Sequence, residues 1–398
     1  MNNRNQNPKL PAMQDFIYFD IGIVIMASAL LAWLSLLLRQ PIIIAYILAG
    51  IALGPWGLRV VSNIDFIDEV SKIGITLLLF IAGLALHPRK IVETFGRTFT
   101  LTIATSFVFA LVSGGFLLAT GLSPTEAAIG GCSMMFSSTI LVVKLMPTST
   151  LHQQRMGAIG IAVLIVQDLM AILLIAFIKG KENLSMAAGA LGILKGVMLV
   201  AAALLAQRYL LSRVIRQVER YRELLNLLAL GWCFGIALAA EAMGLSHETG
   251  AFIAGVALAD NIIARVIAEE LKMFRDFFLV LLFFALGAQL DFSLMKNIAL
   301  PALLLSSLLL FIKPLVFKRA LKLSGETPKF SKELSVRLGQ NSEFAFLITV
   351  IAAEQGLLSA TASQLMHLVT ILTMAVSSYI LVSYYPSPLA SKPSLKID

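Results

Sequence analysis

The amino-acid sequence predicts an all-α polytopic membrane protein with about thirteen transmembrane helices. Its 398 residues are 58% hydrophobic and only 14% charged, whereas soluble chains carry about a quarter charged residues. Uninterrupted apolar runs recur along the chain, and many approach the roughly 20 residues that a spanning helix needs. Only helices or closed barrels satisfy the backbone inside a bilayer, and runs rich in Leu, Ile and Ala favour helices.

Apolar runs between charged, Pro-marked or Gly-marked interruptions predict the individual helices. The first run is too long for a signal-peptide core and no small-residue cleavage site follows it, so we expect it to remain as a helix. We expect residues 1–16 to form a short extracytoplasmic tail, 17–384 the transmembrane domain and 385–398 a short cytoplasmic tail. The thirteen predicted helices are 17–38, 41–55, 66–86, 98–120, 124–146, 154–178, 184–210, 222–243, 247–263, 274–290, 297–317, 333–354 and 360–384.

The distribution of basic residues predicts the orientation. An odd number of crossings places the two termini on opposite sides of the membrane. Most of the 31 Lys and Arg residues lie in loops and helix ends on the side of the C-terminus. Because basic residues favour the cytoplasm, we expect a cytoplasmic C-terminus and an outside N-terminus. Because the basic residues are spread through short loops, the net charge of +8 does not indicate a nucleic-acid partner.

An internal repeat divides the transmembrane domain. The segment 49–53, Ala-Gly-Ile-Ala-Leu, recurs 205 residues later as Ala-Gly-Val-Ala-Leu at 254–258. A Leu-Leu-x-Phe-x-x-Gly-x-x-Leu pattern at 77–86 recurs 204 residues later at 281–290. The offset equates repeat one, 17–178, with repeat two, 222–384, and leaves 184–210 as a linker helix. Because the first helices of the two repeats run in opposite directions, the repeats are of the inverted type found in many secondary transporters.

Polar interruptions at equivalent places in the repeats predict two broken helices. The predicted helix 124–146 carries Ser137, Ser138 and Thr139 at mid-span, and the offset leads to Asn341, Ser342 and Glu343 in the helix 333–354. In transporters with inverted repeats, broken helices cross near the midplane and form the substrate site. Hydroxyls that bond back to their own helix carbonyls are an alternative for the Ser and Thr residues, but not for Glu343.

Three charged residues lie within apolar segments, where an unpaired charge is expensive. Asp168 has about a dozen apolar residues on either side, Lys313 lies late in its helix before Pro314, and Glu343 follows Gln340. A salt bridge that fixes helix packing remains an alternative function for each of them. That alternative is weakest for Asp168, which we predict to be the ion-binding residue.

The pair Gln167-Asp168 indicates how a cation and a proton could be exchanged at one site. An Asp beside a neutral amide oxygen suits a partly dehydrated monovalent cation, and hard cations prefer oxygen ligands. Burial disfavours the charged form of a carboxylate, so the same group can take up a proton. Competition between one cation and one proton would give electroneutral exchange, unless Lys313 carries a second proton. We therefore predict ion or proton binding at Asp168, Gln167, Ser137, Ser138 and Thr139, with Lys313, Glu343 and Gln340 compensating charge or linked to protons.

The other reactive residues do not indicate a different function. The two cysteines lie in apolar runs without metal-ligand spacing, and no cofactor is predicted beyond transported potassium or sodium and protons. The histidines, interpreted as interfacial, are His87, His152, His247 and His367. A channel is an alternative, although no carbonyl-lined filter motif is present. An intramembrane enzyme is disfavoured because no His-Glu-x-x-His motif or second catalytic acid occurs.

At these residues the chain resembles the monovalent cation:proton antiporter-2 family, and most closely its Kef-type potassium/proton branch. The matching stretches follow the family's order along nearly the whole chain. They are Gly54-Pro55-Trp56-Gly57-Leu58, Leu78-Leu79-Phe80-Ile81-Ala82-Gly83-Leu84, Ser137-Ser138-Thr139, Gln167-Asp168, Gly250-Ala251-Phe252-Ile253-Ala254-Gly255 and Gly339-Gln340-Asn341-Ser342-Glu343-Phe344-Ala345-Phe346.

The resemblance implies a sodium/proton antiporter-like fold, a homodimer in the cytoplasmic (inner) membrane, and an elevator-like motion. The mobile core would be formed by helices 98–178 and 297–384. Asp168 matches the family's ion-binding aspartate, Gln167 the potassium-selective branch and Lys313 the family's lysine. Sodium remains an alternative cation. Kef-type systems usually continue into a cytoplasmic nucleotide-binding domain, and the loop after residue 259 differs from the glutathione-responsive one. Such control would therefore require a separate regulatory subunit or a domain that lies beyond this sequence.

Overall fold

The computed structural model of the chain is almost entirely helical. It describes residues 17–38, 40, 42–61, 64–85, 88–147, 150, 155–179, 186–218, 220–245, 247–259, 261, 263–388, 390 and 393–396. The predicted tail 1–16 lies outside these residues. So do Asp260 and parts of several predicted loops.

Seven helices occupy the first repeat. They are α1 (Ile17–Leu37), α2 (Ile42–Leu53), α3 (Ile64–Ala85), α4 (Pro88–Ala119), α5 (Pro124–Ser133), α6 (Thr139–Leu145) and α7 (Arg155–Lys179). The predicted helix 124–146 is therefore interrupted, since Met134–Ser138 separates α5 from α6. We call this segment break one.

The linker and the second repeat supply the remaining helices. The linker is α8 (Met186–Ala206), which continues through a π-helical turn at Gln207–Leu211 into α9 (Ser212–Val218). The second repeat contains α10 (Arg222–Ala242), α11 (His247–Leu258), α12 (Ala264–Glu270), α13 (Lys272–Ala288), α14 (Met295–Leu323), α15 (Pro328–Arg337), α16 (Glu343–Glu354) and α17 (Ala360–Tyr384). The segment Leu338–Ser342 between α15 and α16 is break two.

Each of the thirteen predicted segments contains a helix or a pair of half-helices. Among the described residues, seven helical stretches are long and apolar enough to cross a membrane, namely α1, α4, α7, α8 with α9, α10, α14 and α17. The number of crossings stays a prediction. The largest differences in length concern α4, which begins ten residues early, and α14, which continues to Leu323. The added turns of α14 end with Lys322 in the last turn, where a basic side chain is favourable.

The two broken helices are built alike, which confirms the repeat. Ser123 caps α5 and Thr327 caps α15, and each cap is followed by a proline at the first helical position. Proline suits that position because its missing N–H would have no helical partner there. Each half-helix runs for 10 residues before its break. The predicted interruptions at mid-span are therefore confirmed as breaks in the backbone helix.

The helices form two groups. We call α4–α7 and α14–α17 the site bundle, and α1–α3 with α8–α13 the outer bundle. The site bundle contains the same helices that the resemblance assigns to a mobile core. In the outer bundle, α2 packs on α13 and α3 on α11, so the repeat motifs are in contact. A Cβ on Gly50 would collide with the carbonyl oxygen of Phe284, and one on Gly255 with that of Phe80. These equivalent glycines permit backbone-to-backbone packing.

The two bundles meet through apolar side chains. Ile43 and Ile47 on α2 and Leu282 and Leu286 on α13 pack in one cluster with residues of α6, α16 and α17 such as Phe346. Contacts of this kind are not directional. Both breaks lie in the site bundle beside this cluster.

Candidate functional site

The two breaks contact each other directly. Ser137 Oγ in break one donates to the carbonyl oxygen of Leu338 in break two at 2.8 Å. Ser138 Oγ donates to Glu343 Oε2 at 2.8 Å, and Gln340 Nε2 lies 3.5 Å from the carbonyl oxygen of Ser138. All five residues are buried. The predicted crossing of the two broken helices is therefore where their polar side chains meet.

The N-terminal ends of the two inner half-helices face a carboxylate. Ser138 caps α6 by accepting the N–H of Leu141, and Ser342 caps α16 by accepting that of Phe344. Helix N-termini carry a partial positive charge, which a nearby anion stabilises. Glu343 lies in the first turn of α16 and bonds to the cap of α6, so it compensates both N-termini. Its Oε1 atom makes no hydrogen bond to another described residue.

The C-terminal ends of the two half-helices that precede the breaks face Lys313. Lys313 Nζ donates to the carbonyl oxygen of Phe136 at 2.7 Å, to that of Gln340 at 3.1 Å and to Asn341 Oδ1 at 2.9 Å. The ammonium also lies 5.6 Å from the centre of the Phe109 ring. Helix C-termini carry partial negative charge, so one cation compensates both half-helices that end at the breaks.

Lys313 therefore does not form the salt bridge that the sequence had left as an alternative function for it. None of the ion pairs between described residues involves it. An ammonium has three donors, and Lys313 uses all three on neutral oxygens. Its position explains why a lysine is tolerated here, since every N–H is satisfied although the side chain is fully buried.

Asp168 lies on α7 opposite the start of α6. Its side chain is 4% exposed, and Thr139 Oγ1 lies 3.1 Å from Oδ2 and 3.3 Å from Oδ1. Thr139 is the next residue after Ser138, which bonds to Glu343. The Ser138-Thr139 pair thus stands between two carboxylates, and those carboxylates are close enough to interact electrostatically.

Gln167 does not share the environment of Asp168. Its Oε1 accepts the backbone N–H of Ser137 at 2.9 Å. Its Nε2 lies 3.3 Å from the carbonyl oxygen of Met135 and 3.4 Å from Ser106 Oγ on α4. The amide is fully buried and its hydrogen bonds go to break one and to α4. Whether it also contacts a transported cation stays a prediction.

Gln340 connects break two to the last helix. Its Oε1 accepts a hydrogen bond from Ser377 Oγ at 3.1 Å, and Thr373 Oγ1 accepts the backbone N–H of Asn341 at 3.2 Å. The structure thus gathers all the predicted site residues around the two breaks. They are Ser137, Ser138, Thr139, Gln167, Asp168, Lys313, Gln340 and Glu343.

Three residues of this region were not among the predicted site residues. Ser106 and Thr373 had no visible signal on their own, although the repeat offset places Thr373 at the position equivalent to Asp168. His367 was interpreted as interfacial, which is wrong. It is buried within α17, where its Nε2 lies 2.9 Å from Thr349 Oγ1 and its ring packs on Phe346.

A buried arginine joins the end of the site bundle that lies near the C-terminus. Arg337 Nη1 donates to the carbonyl oxygen of Leu145 at the end of α6, and Nη2 donates to Glu333 and to the carbonyl oxygen of Pro386. Burial and the nearby Glu333 carboxylate raise the pKa of Tyr385, beside this arginine. In the sequence Arg337 counted only as one of the cytoplasmic basic residues. The structure shows that it ties three chain segments together.

The donor set of the site consists of oxygen atoms. Within the described part of the chain, no group of three His, Cys, Asp or Glu side chains is placed to hold a metal ion. Carboxylate, hydroxyl and carbonyl oxygens suit hard cations, and a single carboxylate offers one negative charge. The arrangement around Asp168 can therefore hold either a small monovalent cation or a proton.

Comparisons with known proteins match the chain to a family of transmembrane exchangers. The family model described as sodium/hydrogen exchanger, transmembrane, matches residues 24–384. The glutathione-regulated potassium-efflux system protein KefC of Salmonella schwarzengrund is 31% identical over 362 residues, and that of Cronobacter sakazakii is 32% identical over 365. In each case the match covers 89% of this chain and 58% of the relative.

The fold is similar to that of a solved antiporter. The structure of the sodium proton antiporter MjNhaP1 from Methanocaldococcus jannaschii at pH 8 superposes with a TM-score of 0.68 at 17% sequence identity. The superposition covers 90% of this chain and 94% of that protein. At this identity the likeness concerns the fold alone.

Proposed function

The chain belongs to the sodium/hydrogen exchanger family, and we propose that it is a secondary active antiporter that exchanges a monovalent cation for a proton at Asp168. The observation that carries the proposal is the contact of Thr139 with both Asp168 oxygens at the crossing of the two breaks. Asp168 is buried yet makes hydrogen bonds only through that hydroxyl among the described residues, so its oxygens retain acceptor capacity for an ion.

The exchange follows from competition for one carboxylate. A cation at Asp168 balances its charge in one half of the cycle, and a proton does so in the other half. Lys313 is not needed as a second proton carrier, because loss of its proton would leave one of its three buried acceptors without a donor. We therefore assign an electroneutral stoichiometry of one cation to one proton.

The proposed motion is an elevator-like displacement of the site bundle against the outer bundle. The apolar cluster between them, which includes Ile47, Leu282 and Phe346, can slide without breaking directional bonds. The polar contacts of the breaks remain within the site bundle, so the site would travel as a unit. Packed helices commonly move in this way between two stable arrangements.

Potassium is the cation that we propose, with sodium as the second candidate. Support for potassium comes from the KefC relatives, which are named as potassium-efflux systems. Support for sodium comes from the description of the family. A cytoplasmic (inner) membrane location, a cytoplasmic C-terminus, a homodimer and a separate regulatory subunit complete the proposal. A dimer contact would cover apolar surface such as that of Tyr18 and Trp33 on α1.

Exchange in proteoliposomes tests the proposal. Potassium added outside vesicles with an imposed pH gradient should dissipate the gradient, read from a pH-sensitive dye. Asp168→Asn should remove this response, because an amide cannot alternate between a cation and a proton. The matched control is Asp291→Asn, since Asp291 only caps the turn at Ser293 and the amide oxygen preserves that bond.

The same vesicles separate the alternatives. Full exchange by Asp168→Asn would contradict the site assignment. The cation that dissipates the gradient at the lower concentration is the preferred one, so potassium and sodium are compared at several pH values. Currents on a solid-supported membrane should stay near background if exchange is electroneutral. Steady conductance without proton coupling would instead indicate a channel.

A further inference from the structure

The amide of Gln167 is engaged with the protein backbone. Its oxygen accepts the N–H of Ser137, and its nitrogen is within bonding distance of the Met135 carbonyl oxygen and of Ser106 Oγ. A side-chain amide has two N–H donors, and these three contacts use both of them and one oxygen lone pair. The amide therefore supplies break one with an acceptor for the Ser137 N–H and a donor for the Met135 carbonyl oxygen.

Such partners are necessary because a break removes helical hydrogen bonds. Backbone groups in a membrane must find partners within the protein, and each unsatisfied one costs several kcal/mol. Break two solves the same problem by the same means. Thr373 on α17 accepts the N–H of Asn341, as Gln167 on α7 accepts that of Ser137. In both repeats the long helix that follows the break supplies the acceptor.

We propose that Gln167 is a positioning residue and not a cation ligand, and that Ser106 acts through it. Together they hold break one so that Thr139 meets Asp168 at the distance a particular cation requires. The proposal rests on the exchange function at Asp168. It assigns cation selectivity in part to Ser106, which lies on α4 and contacts Gln167 at 3.4 Å.

The contact of break one with Gln167 lies close in sequence to the contact with Asp168, so a displacement at the first is passed directly to the second. Ser137, whose N–H binds Gln167, is two residues before Thr139, whose hydroxyl binds Asp168. A shift of break one therefore moves the first turn of α6 relative to α7. Partners that orient a ligand commonly change metal affinity about 10- to 100-fold when they are removed.

Gln167→Glu separates a ligand from a positioning residue. The carboxylate is nearly isosteric and still accepts the Ser137 N–H, but its ionised form cannot donate to Met135 or Ser106. A ligand that gains a charge should bind the cation more tightly and add charge movement. A positioning residue that loses its donors should instead raise the KM for the cation by about 10-fold or more, with a changed potassium-to-sodium ratio and no added current.

Ser106→Ala tests the inference away from the site. We expect a rise in KM of about 2- to 10-fold and a shifted potassium-to-sodium ratio, and we expect little further change when Ser106→Ala is added to Gln167→Glu. Ser113→Ala is the matched control. Ser113 is buried on the same helix, and its hydroxyl has no hydrogen-bond partner among the described residues, so the KM should be unchanged.

Two outcomes would overturn the inference. One is tighter cation binding or added current in Gln167→Glu, and the other is a Ser106→Ala protein that behaves like Ser113→Ala. If Gln167→Glu does not reach the membrane, Gln167→Asn replaces it, with the same rise in KM expected because the shorter amide cannot span the contacts.

If the wild type exchanges nothing, the proposed function fails. The positioning inference is then judged from the potassium-induced rise in melting temperature, which Ser106→Ala should weaken.

Discussion

Break one and break two have the same construction but carry different chemistry. Each follows a 10-residue half-helix with a capped start, and each leads into a half-helix capped by a serine. The helix after break one carries Asp168, whereas the equivalent position after break two is Thr373. The repeat therefore provides two breaks, and only the copy in the first repeat places a carboxylate at this position, where we propose that the ion binds.

The charged residues Glu343 and Lys313 of the second repeat also have uncharged counterparts in the first repeat. Glu343 is equivalent to Ser138 at the offset of 205 residues, and the two side chains bond to each other. Lys313 lies 204 residues after Phe109, whose ring it faces. Equivalent residues meet near the pseudo-twofold axis, where two like charges would repel strongly in a medium of low dielectric constant. Neutral partners in the first repeat avoid that repulsion.

Lys313→Met should have the largest effect on this arrangement. It leaves the carbonyl oxygens of Phe136 and Gln340 and the Asn341 amide without a donor, so both breaks lose support. Each buried acceptor left without a donor costs about 1–3 kcal/mol, so we expect a loss of about 3 kcal/mol or more in the free energy of unfolding, measured by thermal unfolding in detergent. Lys322→Met is the control, since Lys322 is exposed in the last turn of α14. Equal melting temperatures for the two variants would show that Lys313 does not hold the breaks.

Thr373→Val should have an intermediate effect. The isosteric side chain cannot accept the Asn341 N–H, so break two alone is weakened, by about 1–3 kcal/mol. Exchange at Asp168 should persist, because the ion site belongs to break one. Thr370→Val is the control, since Thr370 donates only to the Met366 carbonyl oxygen of its own helix. Loss of exchange at an unchanged melting temperature would instead place Thr373 in the ion site.

Glu126→Gln should have the smallest effect. Glu126 Oε2 accepts from the backbone and hydroxyl of the cap residue Ser123, and its Oε1 accepts the N–H of Ser359 at the start of α17. The amide keeps one acceptor oxygen, so it loses the bonds of the other oxygen together with the charge assistance, and we expect a loss of about 0.5–1 kcal/mol in unfolding free energy at this partly exposed site. The control is Glu223→Gln at the exposed start of α10. If Glu126→Gln lost more unfolding free energy than Thr373→Val, the capped start of α5 would contribute more to stability than the Thr373 contact of break two.

Much of the site could be predicted because its residues are charged or polar within apolar segments. Asp168, Lys313 and Glu343 are charges in apolar segments, and the repeat offset connected the polar residues of one break to those of the other. The burial of Arg337 and His367 was not predicted, because these residues do not stand out from their sequence surroundings. Each lies near a predicted loop or helix end, where a basic or polar residue is ordinary, and only packing shows that both are buried.

The sequence by itself determined the class of fold, the repeat and the identity of the residues at the breaks. Those properties follow from local requirements, since hydrophobic length, capping residues and the cost of a buried charge act wherever the chain folds. Only the tertiary structure decided the partners. It directed Lys313 to neutral oxygens, Gln167 to the backbone of break one and Thr139 to Asp168, because these contacts join segments up to about 200 residues apart, and their geometry depends on how two inverted repeats pack.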